Sequence, residues 1–334
     1  MREIRRTNVR RIQCVYPMKA YLANYGCTDI VNSVFFALLT LALTVFHRAI
    51  PYWYLYIFAN IAIIAAIGFL ARFSTTRGHK WKLLHGFYMM LCIPIAFKVM
   101  YVLVPAIHPV DYDAALIAID RALFGVDPTQ WLSRLQHPML TEILQIAYGS
   151  FYLLPLILVV SLYRRKRMKA FKTVFLLVIL GFYLSYLGYV AVPAVGPRFT
   201  LHDFEHTDAE VPGLWLTPVL RAYTNTGESI PPGTPNPASL VQRDVFPSGH
   251  TQITLLVMIL AFRFRAGVRW FLGITGTLLI IATVYLRYHY VIDLVAGAAF
   301  VWLTLELGGV IDHAWSKRQA RISPSMAARS TDTE

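Results

Sequence analysis

The stretch FKTVFLLVILGFYLSYLGYVAVP, residues 171–193, decides the fold. Beyond Lys172 it carries no charge. At 1.5 Å per residue, a helix of this length crosses the ~30 Å hydrocarbon core of a bilayer. Outward from it, apolar runs separated by polar or proline-rich breaks predict eight spans, near 30–48, 53–71, 83–105, 139–163, 171–193, 248–263, 268–286 and 289–311. The sixth is short and opens on the polar Ser248–Gly249–His250, so neighbouring helices are expected to enclose it. The whole chain agrees: 57% of its 334 residues are hydrophobic and 15% charged, against roughly 45–50% and ~25% in soluble domains. The expected fold class is therefore all-α, a polytopic membrane helix bundle. Disordered, fibrous and ordinary soluble chains are excluded. Three cysteines, Cys14, Cys27 and Cys92, make neither a disulfide framework nor a zinc site.

The net charge of +13 raises the question of nucleic acid, and the placement of the charges answers it. With a cytoplasmic N-terminus, 23 Lys and Arg fall on the cytoplasmic side and seven on the other, with Lys98 inside a span. That imbalance is a topology signal placing both termini in the cytoplasm, with contact to anionic lipid as a secondary role. No nucleic-acid partner is expected. The Arg-rich start lies well before the first apolar run and lacks a small-residue cleavage site, so the first span is expected to remain as an anchor. The organisation read from the chain is a basic segment over 1–29, two added helices over 30–82, a six-helix core over 83–312 and a polar tail over 313–334. Few cysteines and compact loops fit a bacterial inner membrane.

Residues 199–247 form a long external loop carrying seven prolines. Unstructured connections of this length are uncommon and are usually functional or disordered. Two readings stand: a solvated loop, or a lid with Trp215 resting on the membrane interface. The earlier external stretch, Asp111 to Gln136, fits a short helix lying along that interface.

Ionisable residues clustered inside a helix bundle are costly and usually functional. Three clusters fall at the same external level: Gly196–Pro197–Arg198, Phe246 to His250, and Tyr285 to Asp293. His289 and Asp293 are four apart, stacked on one helix face. A carboxylate there can accept from one ring nitrogen and leave the other as an outward lone pair, which suits a nucleophile; the plain alternative is a hydrogen-bonded pair capping the last span. Ser248 suits a helix cap, and Gly249 would let a ligand approach the backbone. His250 stands in the first turn, where it could protonate a leaving oxygen. Arg198 and Arg287 are planar cations suited to phosphate. Together these groups describe in-line phosphoryl transfer.

Pro247–Ser248–Gly249–His250 followed by His289-x-x-x-Asp293 resembles the type 2 phosphatidic acid phosphatase superfamily over roughly residues 83–312. The resemblance implies a membrane six-helix bundle acting without metal or cofactor through a phosphohistidine. It implies that His289 attacks phosphorus, Asp293 orients it, His250 protonates the departing alcohol, and Ser248 with the Gly249 amide holds phosphate. The first motif departs from Lys-x6-Arg-Pro, since Phe199 follows Arg198 and Ala191 stands seven before it. The usual Ser-Arg before the histidine is replaced by Ala282–Thr283, with Arg287 nearby. Residues 283–297 and 113–128 look more like the inositol phosphorylceramide synthase and sphingomyelin synthase branch. The substrates so implied are a membrane lipid phosphate and either water or a lipid alcohol as acceptor, which leaves simple phosphatase and headgroup transferase both open. A zinc site of His250, His289 and Asp293 would leave Ser248, Gly249 and the arginines unexplained. An intramembrane serine protease using Ser248 would make Asp293, His250 and both arginines superfluous. A transporter would need Lys98 and Glu306 as partners, yet they stand at different depths of their spans.

Overall fold

The computed structural model describes residues 25–322, and every regular element among them is helical. Most of the expected basic segment over 1–29 and of the tail over 313–334 lies outside the described residues. The N-terminal pair is α1 (Cys27–Val45) and α2 (Trp53–Thr76). Then follow α3 (His79–Phe87), which continues after Tyr88 into α4 (Met89–Ile107), and the shorter α5 (Asp113–Phe124) and α6 (Pro128–Leu132). Next come α7 (Pro138–Gly149), α8 (Leu153–Arg164) and α9 (Met168–Ala191). The long loop holds α10 (Pro197–Thr200), α11 (Thr207–Glu210), α12 (Thr217–Gly227) and α13 (Pro237–Leu240). The chain closes with α14 (Gly249–Arg263), α15 (Arg269–Tyr285) and α16 (Val291–Ile322).

Five stretches are long and apolar enough to cross a membrane: α1, α2, α3 with α4, α9 and α16. The expected straight span over 139–163 is instead two helices, α7 and α8, bent by 55° at Ser150–Tyr152, which together could serve as one crossing. At the break the Ser150 hydroxyl turns back to the Ala147 carbonyl at 2.7 Å and Pro155 has no N–H to offer the Phe151 carbonyl; the buried Phe151 ring lies 4.3 Å from that of His250. The helices at the sixth and seventh expected spans, α14 and α15, are shorter apolar elements. The loop over 199–247 also differs from a structureless connection. Its short helices start with Pro197, Pro218 and Pro237 in their first turns, where a missing N–H costs nothing.

α9 is the axle of the bundle: 78% of its apolar window is buried, whereas the other spans bury between 22% and 39%. Their outward faces carry Phe58, Leu91 and Trp302, and that of the shorter α15 carries Ile274, all more than half exposed. A continuous apolar exterior of this kind is soluble only in lipid, and the protein is an integral membrane protein.

Polar side chains lock the helices where the site is built. Ser185 of α9 donates to Gln252 of α14 at 2.5 Å, and the Gln252 amide donates to Gly181 O and to Thr304 of α16. Such interhelical bonds contribute about 0.6 kcal/mol each on average in membranes, and here they set the register of three helices one turn from His250. Gly297 brings α16 against the start of α14, since a Cβ there would lie 2.7 Å from the Ser248 carbonyl. A second knot joins α1 to α4 and α9: Tyr88 donates to Asp29 at 2.6 Å and Tyr183 donates to Asn32. Glu142 of α7 accepts from the Leu214 and Leu216 amides and the Thr217 hydroxyl, pinning the long loop beside the 85%-exposed Trp215. Lys98 is satisfied locally, donating to Gly227 O at 2.6 Å and Ser229 Oγ at 3.1 Å.

Candidate active site

His250 enters the site from the first turn of α14 because Ser248 starts that helix: the Ser248 hydroxyl accepts from Thr251 N at 3.1 Å. The Ser248 amide donates to the Asp293 carbonyl at 3.0 Å, fastening the start of α14 to that of α16. His289 lies just before α16, and its ring is buried. Its Nδ1 meets the Val245 carbonyl at 3.0 Å, and its Nε2 lies 3.3 Å from Nδ1 of His250. A carbonyl only accepts, so Nδ1 of His289 carries the hydrogen and Nε2 holds the lone pair. By the same logic Nδ1 of His250 donates to that lone pair. The His250 ring is held between Tyr148 and Phe151, with centroids at 4.6 and 4.3 Å.

Arg198 joins them in one small pocket, lined also by Tyr148, Tyr288, Glu228 and Asp244. Its guanidinium sits over the Phe199, Phe204 and Tyr288 rings, pairs with Glu228 and donates to Asn225 at 3.0 Å. The pocket is closed, a cavity of about 10 Å³. A chamber of about 450 Å³ shares Tyr148, Glu228, Asp244 and His250 with it and is otherwise mostly apolar, with Met90, Pro94, Phe97 and Leu156 in its wall and Lys98 as its one cation among the described residues. On the other side of Arg198 and Tyr288 lies a cavity of about 430 Å³ with a charged wall that includes Asp208 and Arg221.

The remaining residues expected from the sequence take other positions. Asp293 is fully buried, but its Oδ2 is 3.4 Å from Nδ1 of His289 while accepting from Tyr290 N at 2.8 Å. The carboxylate is drawn into capping the first turn of its own helix, and the Val245 carbonyl is the nearer partner of the ring. Arg287 occupies a left-handed turn at φ 68°, pairs with Glu210 and does not line the pocket. Ser248 Oγ is engaged as the cap. At Gly249 the side-chain position is taken: a Cβ there would lie 2.3 Å from the Tyr189 hydroxyl. Its role is to admit that hydroxyl. Gly249→Ala is therefore expected to destabilise the protein and lower activity, and Tyr189→Phe should restore both by removing the clashing oxygen. Thermal melts and turnover of the single and double variants check this; a double variant as impaired as Gly249→Ala would refute it.

Several positioning groups were not legible in the motifs. Asp113 accepts from the Val195 and Gly196 amides at 3.0 and 2.8 Å and from the Tyr290 hydroxyl at 2.8 Å. Asp120 accepts from the Val291 and Ile292 amides, capping α16 from outside. The helix α5 thus clamps both the Arg198 turn and the His289 turn. The spacing of its two acids, seven apart on one face of an amphipathic segment, was the available signal. Asp244 gave none. Burial pushes its carboxyl above the ordinary carboxylate range, opposed by the charges of His289 and Arg198.

No curated protein and no solved structure matches the chain. The family model described as the PAP2 superfamily matches residues 114–307, more than half of the chain, and spans every residue of the pocket just described. The chain belongs to the PAP2 superfamily and is a membrane enzyme of its phosphatase and phosphotransferase class, acting on lipid phosphates.

Proposed function

We propose that the protein is a lipid phosphotransferase working through a phosphohistidine at His289. The observation that carries this reading is the histidine pair. Nε2 of His289 holds a lone pair, and the N–H that meets it belongs to His250, in a pocket walled by Arg198. In the first step Nε2 attacks phosphorus, the ester P–O bond breaks, and His250 protonates the departing alcohol. Arg198 neutralises charge on the phosphoryl oxygens, and buried Asp293 stabilises the ring once it becomes cationic. In the second step an acceptor hydroxyl attacks phosphorus and the P–N bond breaks. The excess of basic residues at the opposite ends of the spans supports an extracytoplasmic site with both termini in the cytoplasm.

The acceptor decides between headgroup transfer and simple hydrolysis. Headgroup transfer, of the inositol phosphorylceramide synthase kind, is favoured by the two chambers that meet the pocket. The apolar one fits the chains of a lipid, and the charged one fits a polar group still attached to the phosphate. A phosphate monoester would use only the first. Product analysis on purified protein in mixed micelles tests this. One reaction contains labelled phosphatidic acid, another labelled ceramide with phosphatidylinositol, each beside a His289→Ala control. A new inositol-phosphate-bearing ceramide, absent from the control, is the expected result. Free phosphate and diacylglycerol alone would make water the acceptor and the enzyme a phosphatase. Silence in both, with folded protein, would overturn the reading.

A further inference from the structure

Asp244 stands where the catalytic pocket and the apolar chamber meet, lining both together with His250. Its presence needs a reason. A carboxylate in a site that must hold phosphate repels the substrate, and its burial adds a desolvation cost. Neutralising Arg198 does not supply the reason, because Glu228 already pairs with that guanidinium. Nor does orienting His289, whose Nδ1 is taken by the Val245 carbonyl with Asp293 behind it. Lys98, the cation in the chamber wall, offsets part of the charge of Asp244, but its ammonium makes its hydrogen bonds to Gly227 O and Ser229 Oγ instead. What remains is the group that arrives from the apolar side. A long-chain alcohol lying among Pro94, Phe97 and Leu156 would bring its hydroxyl to the junction, and Asp244 and Glu228 are the two carboxylates lining the chamber there.

We propose that Asp244 is the base of the second half-reaction, accepting first the hydrogen bond and then the proton of a lipid-alcohol acceptor. The step balances. The acceptor oxygen forms a new P–O bond, the P–Nε2 bond of His289 breaks with its electron pair returning to the ring, and the hydroxyl proton goes to Asp244. Asp244 then returns that proton to His250, which lost one to the leaving alcohol in the first half-reaction. The raised affinity of the Asp244 carboxyl for protons matches this duty. The assignment rests on the phosphohistidine reading above and goes beyond it, because it separates the group that serves the acceptor from the group that serves the leaving alcohol.

The test separates the two half-reactions. Purified full-length protein in mixed micelles is mixed with phosphatidylinositol carrying 32P in its phosphodiester, with 1-decanol as acceptor, and quenched in alkaline detergent at short times. Wild type should label and then pass the label to decanol. Asp244→Asn should label at a rate within a few-fold of wild type and lose the label about 100-fold or more slowly, so that phosphoenzyme accumulates. Asp244→Glu should restore part of the decay. Labelling and decay slowed together, or decay unchanged in Asp244→Asn, would overturn the assignment. If the Asn variant does not fold, Asp244→Glu decides alone: slowed decay with normal labelling supports the role, and unchanged decay refutes it. Absence of label on wild type would instead count against the phosphohistidine reading.

Discussion

Replacing His289 by glutamine is expected to abolish turnover, by about ten-thousandfold or more, and to remove all covalent labelling by a phosphate donor. Glutamine is close in size and can still donate to the Val245 carbonyl, so the fold should survive while the nucleophilic nitrogen is gone. His250→Asn should cost about 10²–10⁴-fold on a lipid substrate, the usual range for a lost general acid. The two variants part company on p-nitrophenyl phosphate. Nitrophenolate departs without a proton, so the His250→Asn defect should shrink to within about tenfold there, while the His289→Gln defect should remain whole. That contrast assigns the roles better than either loss does, since any damage to the pocket lowers activity. Steady-state rates on both substrates, with melting curves for each variant, check it. A well-folded His289→Gln protein with normal turnover would sink the mechanism.

The histidine pair was legible because its chemistry is local in sequence: a Pro-Ser-Gly-His helix start and a His-x-x-x-Asp helix start, both at the same end of the predicted spans. Likewise the spans themselves follow from uncharged runs, and α5 from its amphipathic stretch, with Leu116 buried and Leu123 and Phe124 exposed. What escaped is what depends on distant partners. The Gly149–Ser150 pair and Pro155 were the available signals for the bend between α7 and α8, but its direction shows only once Phe151 is seen against His250. The contact of Gly249 with the Tyr189 hydroxyl, on a helix some sixty residues earlier, has no local signature either. Asp293 and Arg287 have the right types for the expected roles, but a helix cap and Glu210 compete for them. A lone acid in a proline-rich loop is normally solvated, which is why Asp244 and Glu228 gave no sequence signal; the fold carries both inward.

Arg198 and Glu228 should respond in opposite directions. Arg198→Ala removes the permanent cation of the pocket and strands the largely buried Glu228 carboxylate, a loss of about 3–5 kcal/mol when a buried pair is broken from one side. Activity is expected to fall by about a thousandfold, in line with the loss of a group that stabilises transition-state charge. Arg198→Lys should rescue little, because an ammonium cannot reproduce the planar contact with Phe199, Phe204 and Tyr288 while donating to Asn225. Glu228→Gln keeps the size of the side chain but ends its competition with phosphate for the guanidinium. Orthovanadate, a phosphate mimic, should then inhibit at about tenfold lower concentration, equivalent to roughly 1.4 kcal/mol. The direction is the informative part. Glu228 reaches the pocket from the end of α12, in the loop that Lys98 holds through Gly227 and Ser229. The cavity of about 10 Å³ is too small for phosphate as it stands, and Glu228 is one of the side chains that line it. If Glu228 were an ordinary structural partner, its loss would weaken vanadate binding together with stability. Tighter inhibition in Glu228→Gln, abolished in the Arg198→Ala/Glu228→Gln double variant, would identify the ion pair as the contact a phosphate displaces on entry. Weaker inhibition in Glu228→Gln would show that the carboxylate instead holds Arg198 in its working position.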